Sequence, residues 1–161
     1  MNAVKTIKPA ILFDTSVGSC NKGDEIIMQS CRRALNPILR DHFVITLPTH
    51  TPLAHGYQNS RRFGVGAYYG DAAWKFLCGT NILNADLLVP VPLWNLHLWN
   101  ARYAKGTVCV GVGMGDERDR PTLYTRRFYA SVLSKTFIHS TRDERTAEFL
   151  RGMGFRAVNT G

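Results

Sequence analysis

The feature that most constrains this chain is an alternation. Short apolar runs are separated by longer stretches whose apolar residues recur every three to four positions. Ala10–Asp14, which follows Pro9, is the first such run. Phe43–Leu47, Trp74–Cys78, Thr107–Val112, Thr136–His139 and Phe155–Val158 follow, and each predicts a strand. From Asp24 onward Ile27, Cys31, Ala34 or Leu35, and Ile38 fall on one helical face, with Gln29, Arg32 and Arg33 outward. Pro37 is expected to weaken or end that helix. A second helix is expected after Pro121, with Tyr124, Phe128, Ser131 or Val132, and Lys135 on one face. A third starts where Thr141 and Glu144 match a capping box. Thr146, Phe149 or Leu150, and Met153 form its apolar stripe, and Gly152 and Gly154 supply its stop. His50–Gly70 reads as loop with room for one short helix, and the proline-broken, aromatic Leu87–Trp99 has no readable period. Strands alternating with amphipathic helices predict an α/β fold: a parallel sheet with helices on both faces. With no repeat or linker, the 161 residues read as a single domain, 1–161.

Composition narrows the setting. Apolar residues at 45% and charged residues at 20% are ordinary for a globular domain and argue against disorder. The longest apolar stretches fall far short of the ~20 residues a membrane-spanning helix needs. Ala10–Phe13 is too short for a signal-peptide core and ends in Asp14. A cytoplasmic setting is therefore expected. Cys20, Cys31, Cys78 and Cys109 form no C-x-x-C pair, so neither zinc nor a redox motif is indicated. Cys20 lies in a glycine-bearing loop, but no neighbouring histidine suggests a catalytic thiol. His42, His50, His55, His97 and His139 show no metal-ligand spacing, and no G-x-S-x-G occurs. Neither a metal nor a cofactor is expected. The net charge of +8 favours anionic partners: phosphates, nucleic acid or an anionic membrane surface.

In open α/β sheets ligands bind beyond the carboxyl ends of the strands, which directs attention to three loops. The first, Gly18-Ser19-Cys20-Asn21-Lys22-Gly23-Asp24, leads into the first helix, whose amino end favours an anion. It is neither a P-loop nor G-x-G-x-x-G, and Asp24 already places a carboxylate at the positive end. The alternative is that Asp24 is only an N-cap and Asn21 only a turn former. The second loop is Gly111-Val112-Gly113-Met114-Gly115-Asp116. A dinucleotide fingerprint would want glycine at Asp116, leaving close backbone approach to a ligand or to a neighbouring helix. The third is Ser140–Asp143, where Arg142 either forks onto a carboxylate or phosphate or forms a solvated capping pair with Asp143. Trp94, Trp99 and Tyr103 are read as core or interface before sugar stacking.

Taken in order, these loops resemble the polysaccharide pyruvyl transferase family. Asn21-Lys22-Gly23-Asp24-Glu25 resembles its N-x-G-D motif, and Gly111-Val112-Gly113 its glycine-containing strand end. Ser140-Thr141-Arg142-Asp143-Glu144, with Thr146, Leu150 and Gly154, resembles its S-x-R-D-x-x-S/T-x-x-x-L…G segment. Where members commonly show Gly-Gly after the third strand, this chain has Gly79-Thr80-Asn81. The resemblance implies a Rossmann-like domain corresponding to one half, the N-terminal half, of a two-domain GT-B-like transferase. Members continue beyond the position of Asn159-Thr160-Gly161 into a second α/β half. A truncated form is therefore expected, inactive alone unless a C-terminal half or second subunit completes it. The implied reaction moves the enolpyruvyl group of phosphoenolpyruvate onto a sugar hydroxyl, forming a pyruvate ketal in cell-surface or exopolysaccharide synthesis. Asp24 would orient or deprotonate the acceptor hydroxyl. Gly18, Asn21, Gly23 and Gly113 would line the substrate cleft, with Arg142 as an anion contact. Phosphoenolpyruvate and a saccharide acceptor are the expected partners in preference to nucleic acid, and peripheral membrane contact stays open. Two alternatives stand beside this reading: half of a nucleotide-sugar glycosyltransferase, and a non-catalytic α/β module that binds anions or nucleic acid.

Overall fold

A computed structural model describes residues 8–51, 58, 64, 69–89 and 92–161. The strands β1 (Ala10–Asp14), β2 (Val44–Pro48), β3 (Trp74–Cys78) and β4 (Val108–Val110) form an all-parallel sheet in the order β2-β1-β3-β4. A second parallel pair, β5 (His139–Thr141) and β6 (Ala157–Asn159), adjoins β4 through a bridge between Val112 and Thr141. Among the described residues, the helices with defined bounds are α1 (Lys22–Leu39), α2 (Leu123–Val132) and α3 (Glu144–Gly152), and Ala101–Ala104 makes a tighter 3-10 turn. The strand order reverses at β1, which lies between β2 and β3, so the carboxyl ends of β1 and β3 flank the topological switch point. The fold is the α/β, Rossmann-like architecture expected.

Alternation along the strands divides the interior in two. Ala10, Leu12, Phe76, Cys78 and Val108 face Met28, Cys31, Leu35 and Leu39 of α1. Ile11, Phe13, Leu77 and Cys109 face the other way. There they meet Phe128, Tyr129 and Val132 of α2, Ala147, Phe149 and Leu150 of α3, and the segment holding Ile82, Leu83, Leu87, Trp94 and Leu96. Helices thus cover both faces. Leu87–Trp99 has no regular secondary structure among its described residues, yet it seals one face with its side chains.

Several sequence expectations shift by a few residues, each for a local reason. The helix α1 passes through Pro37 to Leu39, because burial of Leu35 and Leu39 outweighs one missing hydrogen bond in the last turn. Its buried stripe runs through Met28, Cys31, Leu35 and Leu39, while Ala34 is exposed. β4 ends at Val110 because Gly111 takes a left-handed φ of 63°. Thr136–Ile138 is not strand. The Thr136 and Phe137 amides donate to Ser134 Oγ in a turn, leaving all three side chains exposed, and β5 begins at the buried His139. Thr141 therefore belongs to β5. Asp143 caps α3 by accepting from the Thr146 amide at 2.7 Å. Lys135 lies beyond α2 and is exposed. Most of His50–Gly70 lies outside the described residues.

Lys75 and His139 are among the polar side chains buried within this framework. Lys75, in the middle of β3, is 5% exposed, and its ammonium donates to the carbonyls of Gly70 and Lys105, both at 2.9 Å. Burial pushes its pKa down to about 8, with nearby Lys105 adding to the shift and Asp71 opposing it. The His139 ring accepts the Cys109 amide at Nδ1 (3.0 Å) and reaches the Ser134 carbonyl from Nε2 (2.8 Å). These partners assign the proton to Nε2. Burial pushes the ring's pKa down, and the Ser134 carbonyl opposes that shift.

Candidate functional site

The loop from β1 to α1 is organised by short polar side chains. Asp14, 3% exposed at the end of β1, accepts from the Ser16 amide (2.8 Å), the Ser16 hydroxyl (2.6 Å) and the Arg32 guanidinium (3.3 Å). Gly18 turns the chain at φ 82°. Asn21 is the N-cap of α1, and its Oδ1 accepts the Gly23 amide at 2.9 Å. A Cβ on Gly23 would lie 3.1 Å from that oxygen, so glycine gives the cap its room. Asp24 is not the cap but lies in the first turn, 8% exposed, accepting the Ser19 hydroxyl at 2.5 Å. The positive end of an eighteen-residue helix stabilises a carboxylate there.

The second and third loops meet each other. Arg142 donates its amide to the Val112 carbonyl (2.9 Å), and its side chain packs directly over Gly113. A Cβ on Gly113 would stand 2.5 Å from Asn81 Oδ1 and 2.7 Å from Arg142 Nε, so a larger residue there would push these side chains aside. The Gly113 amide is engaged by the Thr80 carbonyl at 2.8 Å. Gly113 therefore serves close packing, and its own N–H does not face a ligand. The Arg142 side chain is 44% exposed, and its Nε lies 4.0 Å from an Asp143 oxygen, too loose a pair to occupy the guanidinium fork. Behind it, Thr146 Oγ1 donates to Asp143 (2.8 Å) and accepts the Met114 amide (3.0 Å), tying the start of α3 to the second loop.

A third segment joins the two clusters. Gly79 and Thr80 follow β3 with φ of 66° and 53°. A Cβ on Gly79 would come within 2.1 Å of Ile27 in α1, while the Thr80 carbonyl binds Gly113. The first turns of α1, the Gly79-Thr80 corner, Gly113 and Arg142 thus form one continuous rim at the carboxyl ends of the strands. The structure groups Asn21, Gly23 and Asp24 at one part of this rim and Gly113 and Arg142 at another.

Sequence reasoning missed three participants. Asp14 was legible as a carboxylate closing an apolar strand. Asn81 gave no signal, since its contact with Gly113 spans distant segments. Asp116 looked only like a failed fingerprint position. It accepts the Ala85 and Asp86 amides at 2.9 and 3.4 Å and so fixes an otherwise irregular segment. Among the described residues, no cluster of histidine, cysteine, aspartate or glutamate is arranged to hold a metal, and no helix is long and apolar enough to cross a membrane.

Fold and rim together define a parallel α/β domain whose strand-end loops gather at a topological switch point, an architecture shared by many group-transfer enzymes. No curated protein and no solved structure matches the chain significantly. The family model for polysaccharide pyruvyl transferase matches residues 21–161, nearly the whole chain, and the protein belongs to that transferase family.

Proposed function

We propose that this chain takes part in transfer of the enolpyruvyl group of phosphoenolpyruvate to a saccharide hydroxyl, giving a pyruvate ketal in cell-surface or exopolysaccharide synthesis. The observation that carries the reading is the family match over residues 21–161, which takes in both parts of the rim. The chemistry needs a proton delivered to the enol carbon, attack of a sugar oxygen on the adjacent carbon, departure of phosphate from that carbon, and closure of the ketal there by a second sugar hydroxyl, each hydroxyl giving up its proton. Arg142, half-exposed and loosely paired, is suited to a carboxylate or phosphate of the donor. Asp24 is suited to orient or deprotonate the acceptor hydroxyl, with Ser19 holding one of its oxygens. Gly18, Asn21 and Gly23 shape the floor that brings the acceptor to Asp24.

The test is incubation with phosphoenolpyruvate and a panel of saccharides, following phosphate release and the ketal methyl signal by NMR. Ketal formation that falls at least a hundredfold in Asp24→Asn, with the fold unchanged by circular dichroism, is the expected result (about 2.7 kcal/mol of barrier). Ketal formation undiminished in that variant would remove Asp24 from the chemistry. Transfer from a nucleotide-sugar instead would replace the reaction.

A further inference from the structure

Opposite the candidate cleft, at the amino ends of β4 and β5, lies an open groove of about 680 Å³. It is bounded by the turn from Ala101 to Gly106 on one side and by the segment from Ala130 to Thr136 on the other. Three cations line it, Arg102, Lys105 and Lys135, and no carboxylate does. None of the three side chains has a hydrogen-bond or ion-pair partner among the described residues. The groove lined by Arg118, Arg120, Arg126 and Arg145 differs in holding carboxylates as well, Asp119 and Glu148, and there Arg145 is paired with Asp119 and Arg118 with Asp86. The carboxyl end of α2 also reaches it at Ala130 and Ser131. That end contributes roughly half a negative charge, against three full cations. Beneath lies Lys75, whose ammonium holds the Lys105 carbonyl at 2.9 Å and so fixes the backbone carrying one of the cations.

Exposed apolar side chains belong to the same stretches of chain. Leu98 lines the groove and is 39% exposed. Directly after Thr136 come Phe137 and Ile138, at 46% and 47%. Unpaired cations beside exposed aliphatic and aromatic side chains are what an interfacial surface offers a lipid bilayer: electrostatic attraction to headgroups and shallow burial of apolar tips. A nucleic-acid track would call for a longer basic stripe than these three cations.

We propose that this face docks on an anionic membrane surface, with Arg102, Lys105 and Lys135 contacting lipid phosphates and Leu98, Phe137 and Ile138 entering the headgroup layer. The cleft at the carboxyl ends of the strands then points away from the bilayer, and substrates reach it from the aqueous side. This inference is independent of the reaction assigned above.

Co-sedimentation of the 161-residue chain with phosphatidylcholine vesicles, with and without phosphatidylglycerol, tests it. Binding is expected only with phosphatidylglycerol, weakening as salt rises. The triple variant Arg102→Gln/Lys105→Gln/Lys135→Gln should lose about a hundredfold in partitioning, roughly fivefold per cation. Arg118→Gln/Arg120→Gln/Arg126→Gln, which removes as much charge elsewhere, should lose less than tenfold. Ile138→Asn should weaken binding while leaving its salt dependence intact. Absence of vesicle binding, equal binding to both vesicle types, or equal losses in the two triple variants would overturn the proposal. Displacement from vesicles by millimolar inorganic phosphate would also overturn it, in favour of a small-anion site. DNA binding lost in the first triple variant, without any vesicle binding, would assign the groove to nucleic acid instead.

Discussion

On one face of the sheet a helix of eighteen residues, α1, covers Ala10, Leu12, Phe76 and Cys78 among the described residues. On the other, two shorter helices among the described residues share the work with an irregular segment that contributes Leu87, Trp94 and Leu96 and with the 3-10 turn that contributes Tyr103. The first face is held by one periodic stripe and the second by a mosaic. A stripe distributes its burial over aliphatic and sulfur-bearing residues of similar size. The mosaic concentrates burial in a few aromatic rings: Phe13 meets Trp94 edge-on at 5.4 Å, and Trp94 meets Phe128 the same way at 5.7 Å. The mosaic face should therefore be more sensitive to loss of one side chain.

The largest effect is expected from Trp94→Ala, which removes the ring linking β1 to α2. A destabilisation of about 4 kcal/mol in chemical denaturation would fit the usual range for large aromatic truncations. Met28→Ala on the other face should cost about 2–3 kcal/mol. If the order were reversed, the contrast between the faces would fail.

Lys75 sharpens the comparison by pH. Its folded pKa of about 8 lies below the ordinary lysine value of 10.5, so between those pH values the unfolded chain binds more protons and stability rises with pH. The buried ammonium's cost is fully present below about pH 8 and relieved above it. Relative to Lys75→Met, the parent chain should gain on the order of 2–3 kcal/mol between pH 8 and pH 10.5. A constant difference across that window would show that Lys75 stays charged. His139 works at the acid end with the same sign. Its folded pKa is depressed, so stability present above the ordinary histidine value of 6.5 is lost as pH falls through and below it. His139→Gln should flatten that acid limb.

The smallest effect concerns the corner joining the faces. Thr80, β-branched, sits at φ 53°, in the left-handed region. Thr80→Gly should relieve the strain and raise stability by about 1 kcal/mol, read as a higher midpoint in thermal melts. A lower midpoint would mean that the threonine side chain contributes more than its backbone costs.

The same contrast explains what the sequence disclosed. The strands β1 and β3 were legible to the residue because buried central strands read as continuous apolar runs between turn formers. The helix α1 was legible because an amphipathic helix carries its period with it, although Pro37 proved weaker than the packing around it. The mosaic was not legible, since Leu87–Trp99 acquires its place from Asp116, Thr125 and the rings around Trp94, all distant in sequence. The candidate site divides similarly. Asn21, Gly23 and Asp24 are local, and their capping geometry follows from their order. The packing of Gly113 between Asn81 and Arg142 is a tertiary fact that no window of sequence contains.

The central claim is that the rim from the start of α1 to Arg142 meets the ligand. Its most direct test is titration of the isotope-labelled 161-residue chain with phosphoenolpyruvate, followed by amide and guanidinium NMR. The account predicts saturable shifts at Arg142 and Gly113 and in the Ser19–Asp24 loop, with those at Arg142 abolished by Arg142→Gln. Shifts confined to other parts of the molecule, or no saturable shift, would contradict it.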